Sequence, residues 1–426
     1  MKLTKCKLGD LVDVTRGMSL SGQYYSEEGE LFRLTLGNFN MNGGGFKKNT
    51  SKSDLYFTGP VREEFILKKG DIITPLTEQS LGLLGTAARI PESGKYIQSQ
   101  DVALVRCKPG KIDSNFCYYL ISSNSVKQQL SAAAQQTKIR HTSPEKIMNC
   151  TVWVPELQEQ ERIGTLLTAI DSKIELNRSI NRNLEALAKQ IYDYWFVQFD
   201  FPDENGKPYK SSGGKMVWNK ELKREIPEGW VASNICKIAD ILSGGTPSKT
   251  IKKYWENGNL PFFGPTDYNG NVFQIETADH ITQEGLNHCA SSLFEEGVII
   301  ITARGSIGKL VIVGAPMAMN QSCYALRSKN DECEYLYYLT IQLIDCLKAK
   351  GSGSVFKSII ASDIENSSLC IAEKSIVTRF CKVVKPFLRT IKNNTIEISE
   401  LTKQRDELLP LLMNGQVSVN SDLSLG

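Results

Sequence analysis

Between Pro155 and Asp200 the apolar positions follow a helical beat. Ile163, Leu167, Ile170, Ile174, Asn177, Asn181, Leu184, Ala188, Ile191 and Trp195 recur at spacings of four and three. That is an a/d heptad seam, the pattern of a helix that pairs with another helix. Glu, Lys, Arg, Asn and Gln fill the positions between, as a solvated face requires. At 1.5 Å per residue, some forty residues of helix span about 60 Å.

The pattern before this helix is mixed. Leu8 to Val14 predicts a short strand or helical turn, and Asn38 to Phe46 a Gly/Asn loop. Lys69-Gly70-Asp71-Ile72-Ile73-Thr74 reads as a turn entering a buried strand, and Gln98 to Arg106 as a second strand. Asn115 to Gln129 places Phe116, Tyr119, Leu120 and Val126 on one side of a helix. Thr151 to Val154 is a short strand, and Pro155 opens the long helix. Residues 201–229 are rich in Gly, Pro, Ser and Lys, as an ordered linker would be. A second globular unit follows, then another helical stretch from about residue 376 to 414.

The second half echoes the first. Ile235-Cys236-Lys237-Ile238-Ala239 falls 227 residues after Leu8-Gly9-Asp10-Leu11-Val12, and Glu296-Gly297-Val298-Ile299-Ile300 falls 227 after Lys69-Gly70-Asp71-Ile72-Ile73. Gln321-Ser322 matches Gln98-Ser99, and Tyr337-Tyr338-Leu339 matches Tyr118-Tyr119-Leu120. Adding 217 to the seam gives Phe380, Val384, Phe387, Ile391, Asn394, Ile398, Leu401, Arg405, Leu408 and Leu412. Two seams of one length predict helices that pair with each other. In an antiparallel pair the two globules would sit at opposite ends of a rod. Aligning the seam ends sets Asn181 opposite Asn394, a polar pair that fixes register at a cost in stability. Pro386 either opens the second helix or kinks it.

Composition narrows the class. With 426 residues the chain is long enough for two or three domains. Apolar and charged contents of 41% and 23% are those of a soluble globular protein. No secretion signal or membrane-length apolar run is present. The eleven cysteines are scattered without a Cys-x-x-Cys pair, which points to reduced thiols in a cytoplasmic protein. The net charge of +3 excludes a polycation, so a nucleic-acid site must be a local basic surface. Three histidines leave little for zinc or His-based catalysis.

Catalytic motifs are absent. Ala303 to Leu310 (ARGSIGKL) lacks the first Gly and the hydroxyl of a phosphate loop. There is no Pro-Pro for an amino-methyltransferase loop, and no nuclease constellation. Binding candidates are richer. Lys249, Lys252 and Lys253 adjoin Tyr254 and Trp255, beside the turn Ser243-Gly244-Gly245-Thr246-Pro247-Ser248. Cations beside a Gly-rich turn suit phosphate contact; the bland alternative is a solvated charge cluster with Trp255 in the core. Arg304, followed by Gly305 and Ser306, could fork onto a guanine edge, hold a phosphate or form an internal salt bridge. Lys138 and Arg140, beside His141, form a basic loop in the first half. Lys348, Lys350 and Lys357 surround Gly351 to Ser354 at the matching place in the second. Asn38, Asn40, Gln79 and Gln100 have side chains able to pair with adenine; the bland alternative is that each is simply a polar loop residue.

Six stretches in order resemble the DNA specificity subunit of Type I restriction–modification systems. They are Pro155-x-Leu157-x-Glu159-Gln160-x-x-Ile163; Leu184-Glu185-Ala186-Leu187-Ala188 through Trp195-Phe196-Val197-x-Phe199; Glu225-Ile226-Pro227-Glu228-Gly229-Trp230; Ser243 to Ser248 with Tyr254-Trp255; Thr302 to Gly308 with Asn320-Gln321-Ser322; and Leu401-Thr402-x-x-Arg405-Asp406-Glu407-Leu408-Leu409-Pro410. The resemblance implies an α+β fold with two target recognition domains, residues 1–154 and 230–374. Conserved helices at 155–200 and 375–415 would pair as an antiparallel coiled coil, with a linker at 201–229 and a tail at 416–426. It implies a non-catalytic chain that reads a split double-stranded DNA site. Two modification and two restriction subunits would join it, carrying S-adenosylmethionine, ATP and Mg. Cys370 to Lys374 departs from the pattern, lacking the Pro-x-Leu-x-x-Gln of the first copy. The rivals are a single-chain restriction/methyltransferase enzyme and a coiled-coil adaptor without DNA contact.

Overall fold

The computed structural model describes residues 1–40, 44–78, 82–133, 140–350 and 358–419. They form two compact units. The first holds Met1–Ile174 with Glu400–Gly426, and the second Glu175–Ser399.

The first unit is built on an antiparallel sheet in the order Val12–Arg16, Val102–Cys107, Ile72–Pro75, Ala88–Arg89. Ile72–Pro75 and most of Val102–Cys107 are buried in the middle of the sheet, while Val12–Arg16 at its edge keeps Asp13, Thr15 and Arg16 exposed. Ser114–Ile121 and Asn124–Ala133 form two helices where the pattern predicted one. Ser123 at the break accepts a hydrogen bond from Val126 N–H at 3.5 Å. Thr4–Lys7 pairs with Thr151–Val154, so the first strand closes on the strand that leads into the first long helix. Leu8, Ile72, Phe116, Leu120 and Ile147 form one core with Ile163, Leu167 and Leu412 of the long helices.

The second unit repeats this plan. Its main sheet runs Ala239–Ser243, Cys323–Ser328, Ile299–Thr302, Leu310–Val313, Phe273–Gln274. Val231–Ser233 pairs with Leu369–Ile371, again just before a long helix. Ladder register makes the equivalence residue by residue. Val14 lies opposite Val105, and Ile241 opposite Leu326. The repeat is therefore offset by 227 in the early strands and by 221 in the last sheet strand. It is offset by 219 where Ser114 and Cys333 open helices, and by 217 where Leu157 and Lys374 open the long ones. This corrects one pairing. The Gln-Ser identity had set Gln98 against Gln321, but an offset of 221 sets Gln100 against Gln321 and Gln98 against Met319.

The long helices span Leu157–Tyr192 and Lys374–Met413. The first ends in a π-turn, Asp193–Val197, and leaves through Phe199 at φ 68°. The second runs through Pro386 without a break, so Pro386 neither opens it nor ends it. This proline is exposed, and its missing N–H leaves one carbonyl without an intrahelical donor.

In the second unit the helices run antiparallel. Asn177 donates to Glu397 Oε2 at 2.7 Å, and Asn394 donates to Asn181 Oδ1 at 2.9 Å. In the first unit Arg405 Nη1 donates to Asp171 Oδ1 at 2.9 Å, and Tyr119 Oη donates to Asp171 Oδ2 at 2.6 Å. Burial and the proximity of Asp171 both push the Tyr119 phenol well above its ordinary range. Ile163, Leu167, Ile174, Asn181, Val384 and Ile391 are buried. Ile170, Leu184, Ile191, Asn394, Leu401 and Leu408 are half-buried. Phe387 is also half-buried; Leu388 takes the seam position expected of it, because the spacing there is four rather than three.

The stretch expected as an ordered linker contains a strand pair that its composition did not suggest. Met216–Asn219 and Arg224–Pro227 form an antiparallel hairpin carrying Trp218, which is 65% exposed. Behind it Phe201 stacks on Trp230 at 5.3 Å and on Tyr209 at 4.6 Å.

Each unit also carries a groove where its helix after the main sheet meets the far end of a long helix. The first, about 540 Å³, is lined by Tyr119, Lys127, Asp406 and Pro410 among others. The second, about 250 Å³, is lined by Tyr338, Cys346, Lys189 and Asp193. Under the offsets of 219 and 217 these are the same four positions.

Candidate nucleic-acid interface

In the second unit several loops meet at one end of the main sheet. Strand Ala239–Ser243 leaves through Gly244 and Gly245. A Cβ on Gly244 would lie 2.1 Å from the Asn320 carbonyl oxygen, so only glycine lets this turn press against residues 319–320. Gly245 N–H donates to Met319 O at 3.1 Å. Gly245 is itself buried against Ala290, and so shapes the turn from within. Ala303 N–H donates to Ser322 O at 2.8 Å, which brings the Arg304 loop alongside. Gly305 turns that loop at φ 76°, and Ile359 N–H donates to Ala303 O at 2.9 Å from the other side.

This packing leaves particular side chains facing solvent. Ser243, Ser248, Lys249, Arg304, Ser306, Lys309 and Lys348 are exposed. Thr246 Oγ1 donates a hydrogen bond to Gln321 Oε1. Ser248 O accepts from Trp255 Nε1 at 3.2 Å, and Lys249 Nζ lies 5.4 Å from the Trp255 ring centre. Arg304 has no ion-pair partner among the described residues, so the internal salt bridge is not formed there. The Lys348 stem lies beside Gly308, placing its ammonium near the same loops.

Other candidates are engaged elsewhere. Tyr254 is buried and stacks on His288 at 5.0 Å, so it anchors the loop from beneath. Lys252 pairs with Glu256 at 3.4 Å. Lys253 pairs with Glu284, and this hydrogen bond raises the pKa of its ammonium. Both pairs are exposed and salt-screened, so either lysine can exchange its carboxylate for a phosphate at little cost.

The first unit differs in detail. Asn38 is fully buried: its Oδ1 accepts from Thr35 N–H at 2.9 Å and its Nδ2 donates to Lys47 O at 3.1 Å. It therefore holds its loop and does not face solvent, a correction to its reading as a base reader. Asn40 is half-buried. Arg140 pairs with the buried Glu78 at 3.2 Å and donates to Ser131 O at 2.5 Å. The other Glu78 oxygen accepts from the N–H groups of Gly82, Leu83 and Leu84. Arg140 is thus an internal partner that neutralises a loop-closing carboxylate. Gln100 is exposed. Gln79, Lys138 and Lys357, and the side chain of Lys350, lie outside the described residues.

Sequence reading missed three residues at these edges. Arg16 occupies the place of Ser243, Lys309 lies beside Arg304 with its Nζ 5.5 Å from the Tyr268 ring, and Gln321 faces the Gly turn. Ladder register exposes both the first and the third: Arg16 lies in no matching short motif, and the Gln-Ser identity sets Gln321 against the wrong residue.

The second unit offers basic and amide side chains on Gly-shaped loops, and the first unit exposes Arg16 and Gln100 at the matching edge. These provide hydrogen-bond donors and acceptors suited to DNA backbone and base edges.

Sequence and fold are shared with known proteins. The model of the Type I restriction modification DNA specificity domain matches residues 2–186 and 227–403. The MjaIX specificity subunit of Methanocaldococcus jannaschii is 28% identical over 312 residues, covering 72% of this chain and 69% of the relative. The HindI specificity subunit of Haemophilus influenzae is 22% identical over 412 residues, covering 84% and 89%. The crystal structure of a Type I system S subunit from M. genitalium superposes with a TM-score of 0.62 at 18% identity, covering 97% of this chain and 96% of that one. That likeness concerns the fold. No helix among the described residues is long and apolar enough to cross a membrane. With a fold repeated in two units and the family model matching in both, the chain belongs to the specificity subunits of Type I restriction–modification systems, the non-catalytic component that recognises the DNA target.

Proposed function

We propose that the chain reads a bipartite target, one half-site per recognition domain, and directs methylation and restriction by partner subunits in the cytoplasm. The carrying observation is the doubled module, in which strands, turns and helix starts recur in the same order at offsets that step from 227 to 217. The readers are residues 1–154 and 230–374. The helices at 155–200 and 375–415 set the spacing between half-sites, with the linker at 201–229 and the tail at 416–426 outside both. Two modification and two restriction subunits complete the assembly, and S-adenosylmethionine, ATP and Mg belong to those partners. The groove that recurs in each unit supports two equivalent docking points.

The direct test is methylome sequencing of cells with and without this gene. A split motif should vanish with the gene. Exchanging residues 1–154 for those of another specificity subunit should alter one half of the motif. A motif that persists, or an exchange that alters both halves, counts against the reading.

A further inference from the structure

We propose that Gln100 and Gln321 are matched base-reading residues, each presenting its carboxamide to the major-groove edge of an adenine, with Thr246 orienting Gln321. The inference rests on the two-reader function above. The two glutamines fall at one structural position, because the last sheet strand is offset by 221 between units. Both are exposed, and both follow the backbone against which the Gly turn is pressed. The pressing contacts are the same in each unit. Met18 N–H donates to Gln98 O at 3.1 Å, and Gly245 N–H donates to Met319 O at 3.1 Å. A Cβ on Gly17 would lie 2.3 Å from the Gln98 and Ser99 carbonyl oxygens, as one on Gly244 would collide with Asn320. The early offset of 227 carries Ser19 onto Thr246, so a hydroxyl residue accompanies the glutamine in both copies.

In the second unit the hydroxyl is engaged: Thr246 Oγ1 donates to Gln321 Oε1. A carbonyl oxygen has two lone pairs, so this bond fixes the amide without exhausting it. One lone pair and two N–H donors remain in a known orientation. A donor and an acceptor side by side match adenine N7 and N6, the pairing that carboxamides make in the major groove. The neighbouring Arg304 carries only donors and cannot supply that match. Pre-setting the rotamer also removes part of the ordering cost that a free glutamine pays on binding.

The test uses the complete complex in cells and reads the methylated motif by modified-base sequencing. The wild-type motif should contain a fixed A·T pair in each half. Gln321→Ala should make that pair degenerate in one half-site, raising methylation of substituted sites by roughly tenfold or more. Gln100→Ala should do the same in the other half. Thr246→Val should loosen the same pair as Gln321→Ala, and Thr246→Ser should retain it. Should Gln321→Ala abolish methylation altogether, Gln321→Glu keeps the acceptor and removes the donors, and preference should move toward cytosine. Retention of every motif position in Gln321→Ala, relaxation at a G·C pair, or retained adenine preference in Gln321→Glu would overturn the proposal. A wild-type chain with no split motif would instead overturn the two-reader function itself.

Discussion

Asp171 and Arg405 show how single side chains distinguish two copies of one design. Shifted by 217, their places in the other copy hold Leu388 and Ala188, both in an apolar core. In the first unit they form an ion pair completed by Tyr119 and by Asp406, which accepts from Arg405 Nη2 at 2.8 Å. Arg405→Ala should therefore cost about 2 kcal/mol, on the low side for a buried pair because Asp171 keeps 30% side-chain exposure. Asp171→Leu with Arg405→Ala should cost less than the single change, since it installs the chemistry the other copy already uses. Urea denaturation of the three proteins checks this ordering. The asparagine pair obeys the same logic: Asn181→Leu alone strands the Asn394 amide, at about 1–2 kcal/mol, while replacing both should restore much of the loss.

At the scale of elements, the turn after the first strand of each main sheet is the most exacting piece. Alanine at Gly244 must displace backbone, since its Cβ would lie 2.1 Å from a carbonyl oxygen. The expected outcome is a destabilisation on the order of 1–3 kcal/mol, read by thermal melting, with loss of discrimination confined to one half of the motif. The long helices were legible in the sequence because their seams span many turns. Each was placed within about two residues at its start, since periodicity averages over local noise. The hairpin at 216–227 was not, because Gly and Lys around it mask a short alternating strand pair. The burial of Asn38 was equally hidden: it depends on Thr35 and Lys47 closing a loop, and composition alone cannot distinguish that loop from an exposed one. Gln321 escaped because a chance Gln-Ser identity aligned it two residues away from its true counterpart, and only hydrogen-bond register corrects such a slip.

For the whole molecule, the spacing function makes a length prediction. Seven residues inserted after Asn177, matched by seven after Asn394, keep the seam in phase and Asn181 against Asn394. The motif's gap should change while both half-sites stay intact, as methylome sequencing would show. An unmatched insertion breaks the register of Asn181 with Asn394 and should lower stability as well. The in-frame offset of 217 between the starts of the long helices also matters to the gene. Unequal recombination there would delete one reader cleanly, joining residue 156 to residue 374. Such a half-length product could pair its helix only with another molecule's. Its Arg405 would then face Leu388 instead of Asp171, and this largely buried cation would keep only the exposed Asp406 as counter-ion at each crossing. The asymmetry that separates the two copies thus weakens the helix pairing open to a shortened product.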